Sequence, residues 1–379
     1  MSAVTSLNTF LILMTVVYIG LVLYMRRGWF LIPYFRRTGE DVKTQVSVLI
    51  AARNEEENIG RTIEAILAQT YPQNLLEIIV VDDHSTDRTA AIIASYADRG
   101  VRLIQLNEGD KLNSYKKLAI SRAISGATGE LIVTTDADCR MGPEWLLTVV
   151  SYFERTGAYM VSSPVIYSEE KSYFERLQTL EFLYLIGLGA AGIGNGSPTT
   201  CNGANLAYRR DVFYEMGGFR GIDNVASGDD ELFLHKVAER YADRIKFCKS
   251  IAAAVFTDAK PTVSAFISQR KRWASKSTKY KDKRVVWLGI SIWAFNLALV
   301  SAAVLFFVYL PDVHWLFAAA LALKIFAEYL FIRPLCRFAG RMELLWNLPL
   351  LSFAHAVYLV YIGVAGNVGK YDWKGRKVH

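Results

Sequence analysis

The sequence lacks the patterns that mark several common classes of protein. Its four cysteines are scattered, with neither the C-x-x-C spacing of a zinc site nor the density of a disulfide framework. No G-x-G-x-x-G follows the first predicted strand, and no G-x-x-x-x-G-K-[ST] occurs anywhere in the chain. These absences remove the main support for a dinucleotide-dependent redox enzyme and for a P-loop nucleotide hydrolase.

Charge is absent from residues 7–25, an apolar run about as long as a membrane-crossing helix needs. Arg26 and Arg27 follow it directly, and no basic residue precedes it, as a cleavable signal peptide would require. We therefore predict an N-terminal membrane anchor over residues 1–30, with its C-terminal end in the cytoplasm.

Three further apolar stretches fill the C-terminal third, at residues 285–310, 315–335 and 344–366. Pro349 lies near the start of the last one, so this stretch either crosses the membrane or re-enters it. We predict two to three membrane helices and a basic tail over residues 285–379. The 43 Lys and Arg residues, against 36 Asp and Glu, concentrate beside apolar spans. This placement favours contact with an inner (cell) membrane over contact with nucleic acid.

Between the membrane segments, short β-branched runs alternate with helical patterns. This alternation predicts an α/β fold with a mostly parallel sheet over residues 44–284. The predicted strands are 46–51, 77–81, 101–106 and 131–135, and the predicted helices are 56–69, 87–97 and 115–127. A further apolar stretch at 180–193 is expected to lie along the membrane face.

Acidic residues follow two of the predicted strands in pairs. Asp82 and Asp83 end the second strand, and Asp136 and Asp138 end the fourth. Ligands of such sheets bind at the carboxyl ends of the strands. One acid per turn is explained by helix capping, but two adjacent carboxylates are costly without a cation. The pairs therefore predict a divalent-cation site at this edge.

Two more motifs follow in order: Asp229-Asp230, and Q-x-x-R-W from Gln269 to Trp273. With these motifs, residues 46–273 resemble the membrane-bound family 2 glycosyltransferases. The resemblance implies a GT-A fold, one N-terminal and two to three C-terminal transmembrane helices, and Mg²⁺ or Mn²⁺ as cofactor. It departs from the family pattern at Tyr115, where Gly usually precedes the Lys, and at Asp229, where Glu is usual.

The resemblance also implies roles for the matching residues. The donor-binding residues would be Asn54, Glu55, Asp82, Asp83, Lys116, Asp136, Gln269 and Arg272. Asp138, together with Asp136, would hold the metal. Asp230 would be the general base, supported by Asp229. The acceptor would contact Trp273, Asn202 and Gly203.

Each assignment has a plainer alternative. Asp230 and its neighbour could simply cap a helix that begins near Glu231. Arg272 and Trp273 could lie at headgroup level on an interfacial amphipathic helix. Lys324 and Glu328, four residues apart in an apolar span, read as a self-neutralising pair.

Three functions follow from these patterns. The leading one is an inverting transfer of a sugar from a UDP-sugar to a lipid or lipid-linked hydroxyl at the cytoplasmic membrane face. The alternatives are a processive polysaccharide synthase of the cellulose or hyaluronan type and a non-catalytic membrane scaffold that keeps the GT-A fold. The expected partners are a nucleotide sugar, a lipid acceptor and the membrane.

Overall fold

The structure, a computed structural model, describes residues 3–39, 41–107, 114–223, 225, 228–275, 283–308, 314–366, 371–373 and 376–378. The chain divides into two units. Unit 1 contains Met1–Trp29, Glu170–Gly187 and Lys260–Tyr371, and unit 2 contains Phe30–Glu169, Leu188–Ala259 and Asp372–His379.

The strands and helices alternate through unit 2, and long helices make up most of unit 1. The strands are β1 (Val46–Ala52), β2 (Leu76–Asp82), β3 (Val101–Gln105), β4 (Leu131–Asp136), β5 (Arg140–Met141), β6 (Met160–Ser162), β7 (Val165–Ser168), β8 (Leu206–Arg209), β9 (Ile245–Phe247), β10 (Val255–Asp258), β11 (Tyr371–Trp373) and β12 (Arg376–Val378). The helices are α1 (Ala3–Leu31), α2 (Ile59–Leu67), α3 (Thr89–Ala94), α4 (Tyr115–Gly126), α5 (Trp145–Thr156), α6 (Tyr173–Gly194), α7 (Arg210–Glu215), α8 (Glu231–Tyr241), α9 (Val263–Ala274), α10 (Lys283–Val308), α11 (His314–Ala339) and α12 (Leu348–Ala365).

A seven-stranded mixed sheet in the order β3-β2-β1-β4-β8-β6-β9 forms the centre of unit 2. Strands β1 to β4 are parallel to one another, whereas β8 runs antiparallel to both β4 and β6. Val48, Ile79 and Val133 are fully buried. Strands of a parallel sheet that is covered by helices on both faces are buried on both sides, and their sequences are therefore continuously apolar. The predicted α/β fold is confirmed. A smaller sheet in the order β5-β10-β7 adds to the same unit.

Among the residues that the structure describes, four helices are long and apolar enough to cross a membrane: Ser6–Leu31, Tyr173–Gly194, Val285–Leu305 and Met342–Ala365. Two of these lie at the C-terminus, within the predicted range of two to three. The third C-terminal helix, α11, carries Lys324 and Glu328.

Pro349 does not interrupt the last helix. It lies in the first turn of α12, where no backbone N–H needs an intrahelical partner, and the helix continues unbroken to Ala365. Pro349 therefore gives no support to a broken helix in this stretch. Whether the stretch crosses or re-enters the membrane stays open.

The predicted pairing of Lys324 with Glu328 is confirmed. The lysine Nζ lies 2.6 Å from the glutamate Oε1, and both side chains are buried in unit 1. Tyr18 and Ser352 donate hydrogen bonds to the same carboxylate. The pair therefore joins α1, α11 and α12 through a satisfied polar cluster.

Candidate active site

The acids that end β2 and β4 lie on either side of the end of β1. In the register of the sheet, Asp82 is the partner of Ala52, and Asp136 is the partner of Ala51. The carboxyl ends of these parallel strands therefore bring the two acids to one edge of unit 2, as the sequence predicts. Asp82 and Asp83 are buried, at 3% and 2% exposure, and Asp136 is partly exposed.

The loop after β1 is tied to the loop after β2. Arg53 donates from Nη1 to the carbonyl oxygens of Asp83 and His84, each at 2.8 Å. Asn54 has a φ of 49° and accepts a hydrogen bond from the Thr86 N–H at 2.8 Å. His84 also has a positive φ, 54°. Such conformations cost energy in residues other than Gly and cluster at functional sites.

Glu55 and Asn54, both predicted donor-binding residues, are engaged in shaping this loop. The Glu55 carboxylate accepts a hydrogen bond from Asn58 at 3.0 Å, and its backbone N–H donates to Thr89 at 2.8 Å. These contacts give both residues a structural role in the loop after β1. Their predicted contact with a donor stays a prediction.

Asp82 and Asp83 have different surroundings. The Asp83 Oδ1 lies 2.9 Å from Nδ1 of His84, whose ring stands edge-on to Tyr115 with centroids 6.3 Å apart. The Oδ1 of Asp82 is buried and has no hydrogen-bond partner among the described residues. A buried acceptor without a donor is costly, so this atom is available to a ligand group that carries an N–H or O–H.

Lys116, in the first turn of α4, connects the acids. Its Nζ lies 2.7 Å from Asp136 and 3.5 Å from Asp229. Burial alone would lower the pKa of Lys116, but Asp136, Asp229 and Asp230 raise it above its usual range. The ammonium therefore stays charged at any physiological pH and offsets the repulsion among three carboxylates. Tyr208 is buried beside this cluster, and burial and Asp229 raise the pKa of its phenol.

Asp230 is held from two sides. Its Oδ1 accepts a hydrogen bond from the N–H of Glu231 at 2.7 Å and so caps α8, as the plainer alternative predicts. Its Oδ2 accepts from the N–H of Gly203 at 2.8 Å. A carboxylate has about four lone-pair positions, so the cap does not exclude the role of a base.

The loop at Asn202 and Gly203 packs directly against the acids. The Asn202 side chain accepts a hydrogen bond from the N–H of Ala204 at 2.9 Å, and the Gly203 carbonyl accepts from Thr134 on β4 at 2.8 Å. A Cβ on Gly203 would lie 3.2 Å from the Cβ of Asp230. The absence of a side chain here is what lets the loop approach the carboxylate. The structure thus brings the two predicted acceptor residues beside the predicted base.

The predicted metal ligands are of the chemical type that a hard divalent cation prefers. Asp136 and Asp138 supply carboxylate oxygens from one strand end, which is the ligand type of Mg²⁺ and Mn²⁺. Among the described residues, no group of three or more His, Cys, Asp or Glu could hold a metal ion. The carboxylates fit a cation that takes its remaining ligands from a diphosphate and water. Cys139, which follows Asp138, is fully buried.

The Q-x-x-R-W motif lies on α9, in unit 1. Gln269, Arg272 and Trp273 are each partly exposed along this helix. The structure does not test their predicted contacts with donor and acceptor. Sequence reasoning missed Arg270, which is buried and forms an ion pair with Glu181. Its position four residues after Phe266 and three before Trp273, on one helical face, was the available signal.

Comparison with known proteins agrees with this fold. Residues 47–217 match the family Glycosyl transferase family 2. The chain is 27% identical over 274 residues to a probable glycosyltransferase, YdaM, of Bacillus subtilis, which covers 68% of this chain and 63% of that protein. It is also 27% identical over 231 residues to a beta-monoglucosyldiacylglycerol synthase of Nostoc, covering 60% of this chain and 48% of that one. The chain thus spans only about half to two thirds of the length of these relatives.

One solved structure has a closely similar overall fold. It is the mannosyltransferase PcManGT from Pyrobaculum calidifontis, in complex with GDP-Man and Mn²⁺. The match has a TM-score of 0.61 and 19% identity, and it covers 93% of this chain and 99% of that one. The fold is therefore of the GT-A type, and residues 47–217 are similar to the family 2 glycosyltransferases.

Proposed function

We propose that this protein is an inverting, metal-dependent glycosyltransferase that moves a sugar from a UDP-sugar to a lipid or lipid-linked hydroxyl. The observation that carries the proposal is the cluster of Asp136, Asp229 and Asp230 around Lys116 at the carboxyl edge of the sheet. A structural role alone gives no reason to gather three carboxylates at one edge, since their repulsion must be offset by the partly buried ammonium of Lys116.

Each residue of the cluster has a task in this chemistry. The carboxylate of Asp230 takes the proton of the acceptor hydroxyl as that oxygen bonds to the anomeric carbon. The bond from that carbon to the donor's diphosphate breaks, and the diphosphate leaves with the electron pair. Asp138, together with Asp136, would hold Mg²⁺ or Mn²⁺, and a cation held there would supply charge stabilisation for the leaving diphosphate. Asp82 and Asp83 offer buried acceptors to the N–H and O–H groups of the nucleoside.

Several observations support the nature of the substrates. The Nostoc relative is a beta-monoglucosyldiacylglycerol synthase, and four helices in the described part of this chain are long and apolar enough to cross a bilayer. Both favour a lipid acceptor, and the basic residues beside the apolar spans favour a catalytic domain on the cytoplasmic side of the cell membrane. The mannosyltransferase of similar fold is bound to GDP-Man and Mn²⁺. That complex supports a divalent cation and makes GDP-sugars necessary members of any donor panel.

The test is a donor-turnover assay on detergent-purified protein with Mn²⁺ or Mg²⁺, UDP- and GDP-sugars, and total membrane lipid. Asp230→Asn is the informative variant, because Asn still accepts the hydrogen bond that caps α8 but cannot take a proton. We expect lipid-dependent turnover that yields a discrete glycolipid. The turnover rate should fall by about 10²-fold or more in Asp230→Asn.

The other outcomes identify the alternatives. A growing polymer as product would make the protein a polysaccharide synthase. Full turnover in Asp230→Asn would refute the assignment of the base, and no turnover with any donor would favour a non-catalytic scaffold. Binding of the donor in the absence of a divalent cation would contradict the prediction that Mg²⁺ or Mn²⁺ is the cofactor.

A further inference from the structure

A buried ion pair holds the helix that carries Q-x-x-R-W. Arg270 on α9 is 3% exposed, and its Nε and Nη2 donate to the two carboxylate oxygens of Glu181 on α6 at 3.2 and 2.6 Å. Both partners lie in unit 1. The two parallel hydrogen bonds fix the guanidinium plane as well as its position, which a single contact or a Lys would not do.

The same guanidinium contacts both ends of the motif. Its Nη1 donates to the Gln269 Oε1 at 2.7 Å, and its centre lies 4.2 Å from the centroid of the Trp273 ring. The ring of Phe266 lies on it at 4.6 Å. Stacking between two aromatic rings is favourable for a desolvated guanidinium. Arg270 therefore organises the side chains of the first and last residues of Q-x-x-R-W.

A second helix, α12, fixes α9 along its length. Phe266 packs against Tyr358 with centroids 5.4 Å apart, and Lys271 lies over the ring of Tyr361 at 5.4 Å. At the end of α9, a Cβ on Gly366 would come within 2.6 Å of the Cβ of Ala274. These contacts set where α9 lies, and the ion pair sets how it is rotated about its axis.

The rotation determines where Arg272 points. Residues two apart on a helix lie about 200° apart around its axis, so an inward Arg270 turns Arg272 to the opposite side. We propose that Glu181 is a positioning residue for the transfer reaction, acting through Arg270 to orient Arg272 and Trp273. This inference rests on the proposed function and on the predicted role of Arg272 in binding the donor.

An apolar pair of similar volume would fill this space without the cost of burying two charges. The bidentate ion pair also fixes the orientation of α9, because both hydrogen bonds between Arg270 and Glu181 can form at only one rotation of the helix about its axis. A role confined to stability would therefore be served by apolar side chains, whereas a role in orientation needs the pair itself.

The experiment compares Glu181→Gln with Glu170→Gln in the purified full-length protein. Glu170 is the matched control, since its carboxylate also pairs with an arginine of unit 1, Arg341 at 2.8 Å, and accepts its other hydrogen bond from Thr179 on α6. Both variants lose one side of an ion pair, so both should unfold at a lower temperature. We expect only Glu181→Gln to lose kcat, by about 10- to 100-fold, because misplacement of a binding group by about 1 Å costs this much.

A double-variant cycle separates orientation from stability. If Glu181 acts through Arg272, then Glu181→Gln changes kcat less than twofold in an Arg272→Lys background, while the losses in unfolding temperature still add. Arg270→Lys keeps the charge and loses the second hydrogen bond; it should fold well and lose kcat to a similar extent. It serves as the test if Glu181→Gln fails to fold.

Two results would overturn the inference. One is a kcat of Glu181→Gln or Arg270→Lys within twofold of Glu170→Gln, and the other is independent losses that multiply in the double variant. Both are judged against active wild-type protein. Failure of the proposed function would show separately, as a wild type that turns over no donor.

Discussion

Gly203→Ala tests whether the placement of Asp230 matters for more than capping a helix. The added Cβ would lie 3.2 Å from the Cβ of Asp230 and 3.3 Å from its Oδ2, against a comfortable separation of about 3.5–4.0 Å. Gly203 cannot retreat freely, because its carbonyl is held by Thr134 at 2.8 Å. The carboxylate of Asp230 must therefore move by about 0.4 Å.

A displacement of this size has a calculable effect on the reaction. If a misplacement of about 1 Å costs roughly 10²-fold in rate, then about half of that distance costs on the order of 10-fold, or about 1.4 kcal/mol in the activation barrier. The unfolding free energy should fall by only about 1 kcal/mol, the usual cost of slight overpacking. Gly203 does not have a positive φ, so no backbone strain is added.

The assay measures kcat for sugar transfer, donor affinity and the denaturant midpoint in detergent. Gly142→Ala is the matched control, because its added Cβ would meet nothing within 4 Å in the same unit. We expect Gly203→Ala to lose kcat with unchanged donor affinity, and Gly142→Ala to match the wild type. Unchanged kcat together with a lowered midpoint in Gly203→Ala would leave Asp230 with its capping role alone.

Three further predictions concern the charged groups. Lys116→Met should lower the free energy of unfolding by about 1 kcal/mol at pH 7, because the partly exposed carboxylate of Asp136 loses its counter-charge. The raised pKa of Lys116 means that the wild type keeps this contribution up to about pH 10 and loses it as the pH rises further. Glu328→Gln should cost about 3 kcal/mol by leaving Lys324 buried without its partner, and the Lys324→Met/Glu328→Leu double variant should recover most of it in thermal unfolding. Burial lowers the pKa of Lys249 to about 8, so the unfolded chain binds more protons than the folded chain, and the free energy of unfolding of the wild type should rise between about pH 8 and pH 10. Lys249→Met should be more stable than the wild type by about 1 kcal/mol at pH 7. A wild type with the same free energy of unfolding at about pH 8 and about pH 10 would contradict the lowered pKa.

The sequence predicts the strands of unit 2 well because their apolar runs are continuous. A run such as 131–135 has no other stable place than a sheet covered on both faces, and β4 spans Leu131–Asp136. Helix starts are less predictable. The helix expected from residue 56 begins at Ile59, because Arg53 and Asn54 fold the preceding residues into a turn against the loop after β2.

The acids of the candidate site could be predicted from their place after strands, but their partners could not. Topology brings strand ends to one edge, so Asp82 and Asp136 meet whatever the loops do. The contact of Lys116 with Asp229 joins residues more than a hundred positions apart and depends on where α4 begins. Spacing along the chain carries no information on such a pair.

The two arginines of Q-x-x-R-W show the same limit on a smaller scale. Arg270 and Arg272 are equally basic, and composition assigns both to the surface. Helical spacing distinguishes them only when Phe266 and Trp273 are recognised as one apolar face, and even then a buried arginine needs an acid from elsewhere. That acid, Glu181, lies in an apolar stretch that reads as membrane contact, yet it is 5% exposed and paired. An acidic residue inside an apolar helix thus indicates a buried basic partner. In this protein that residue is Glu181, and a single substitution there should affect the orientation of α9 most.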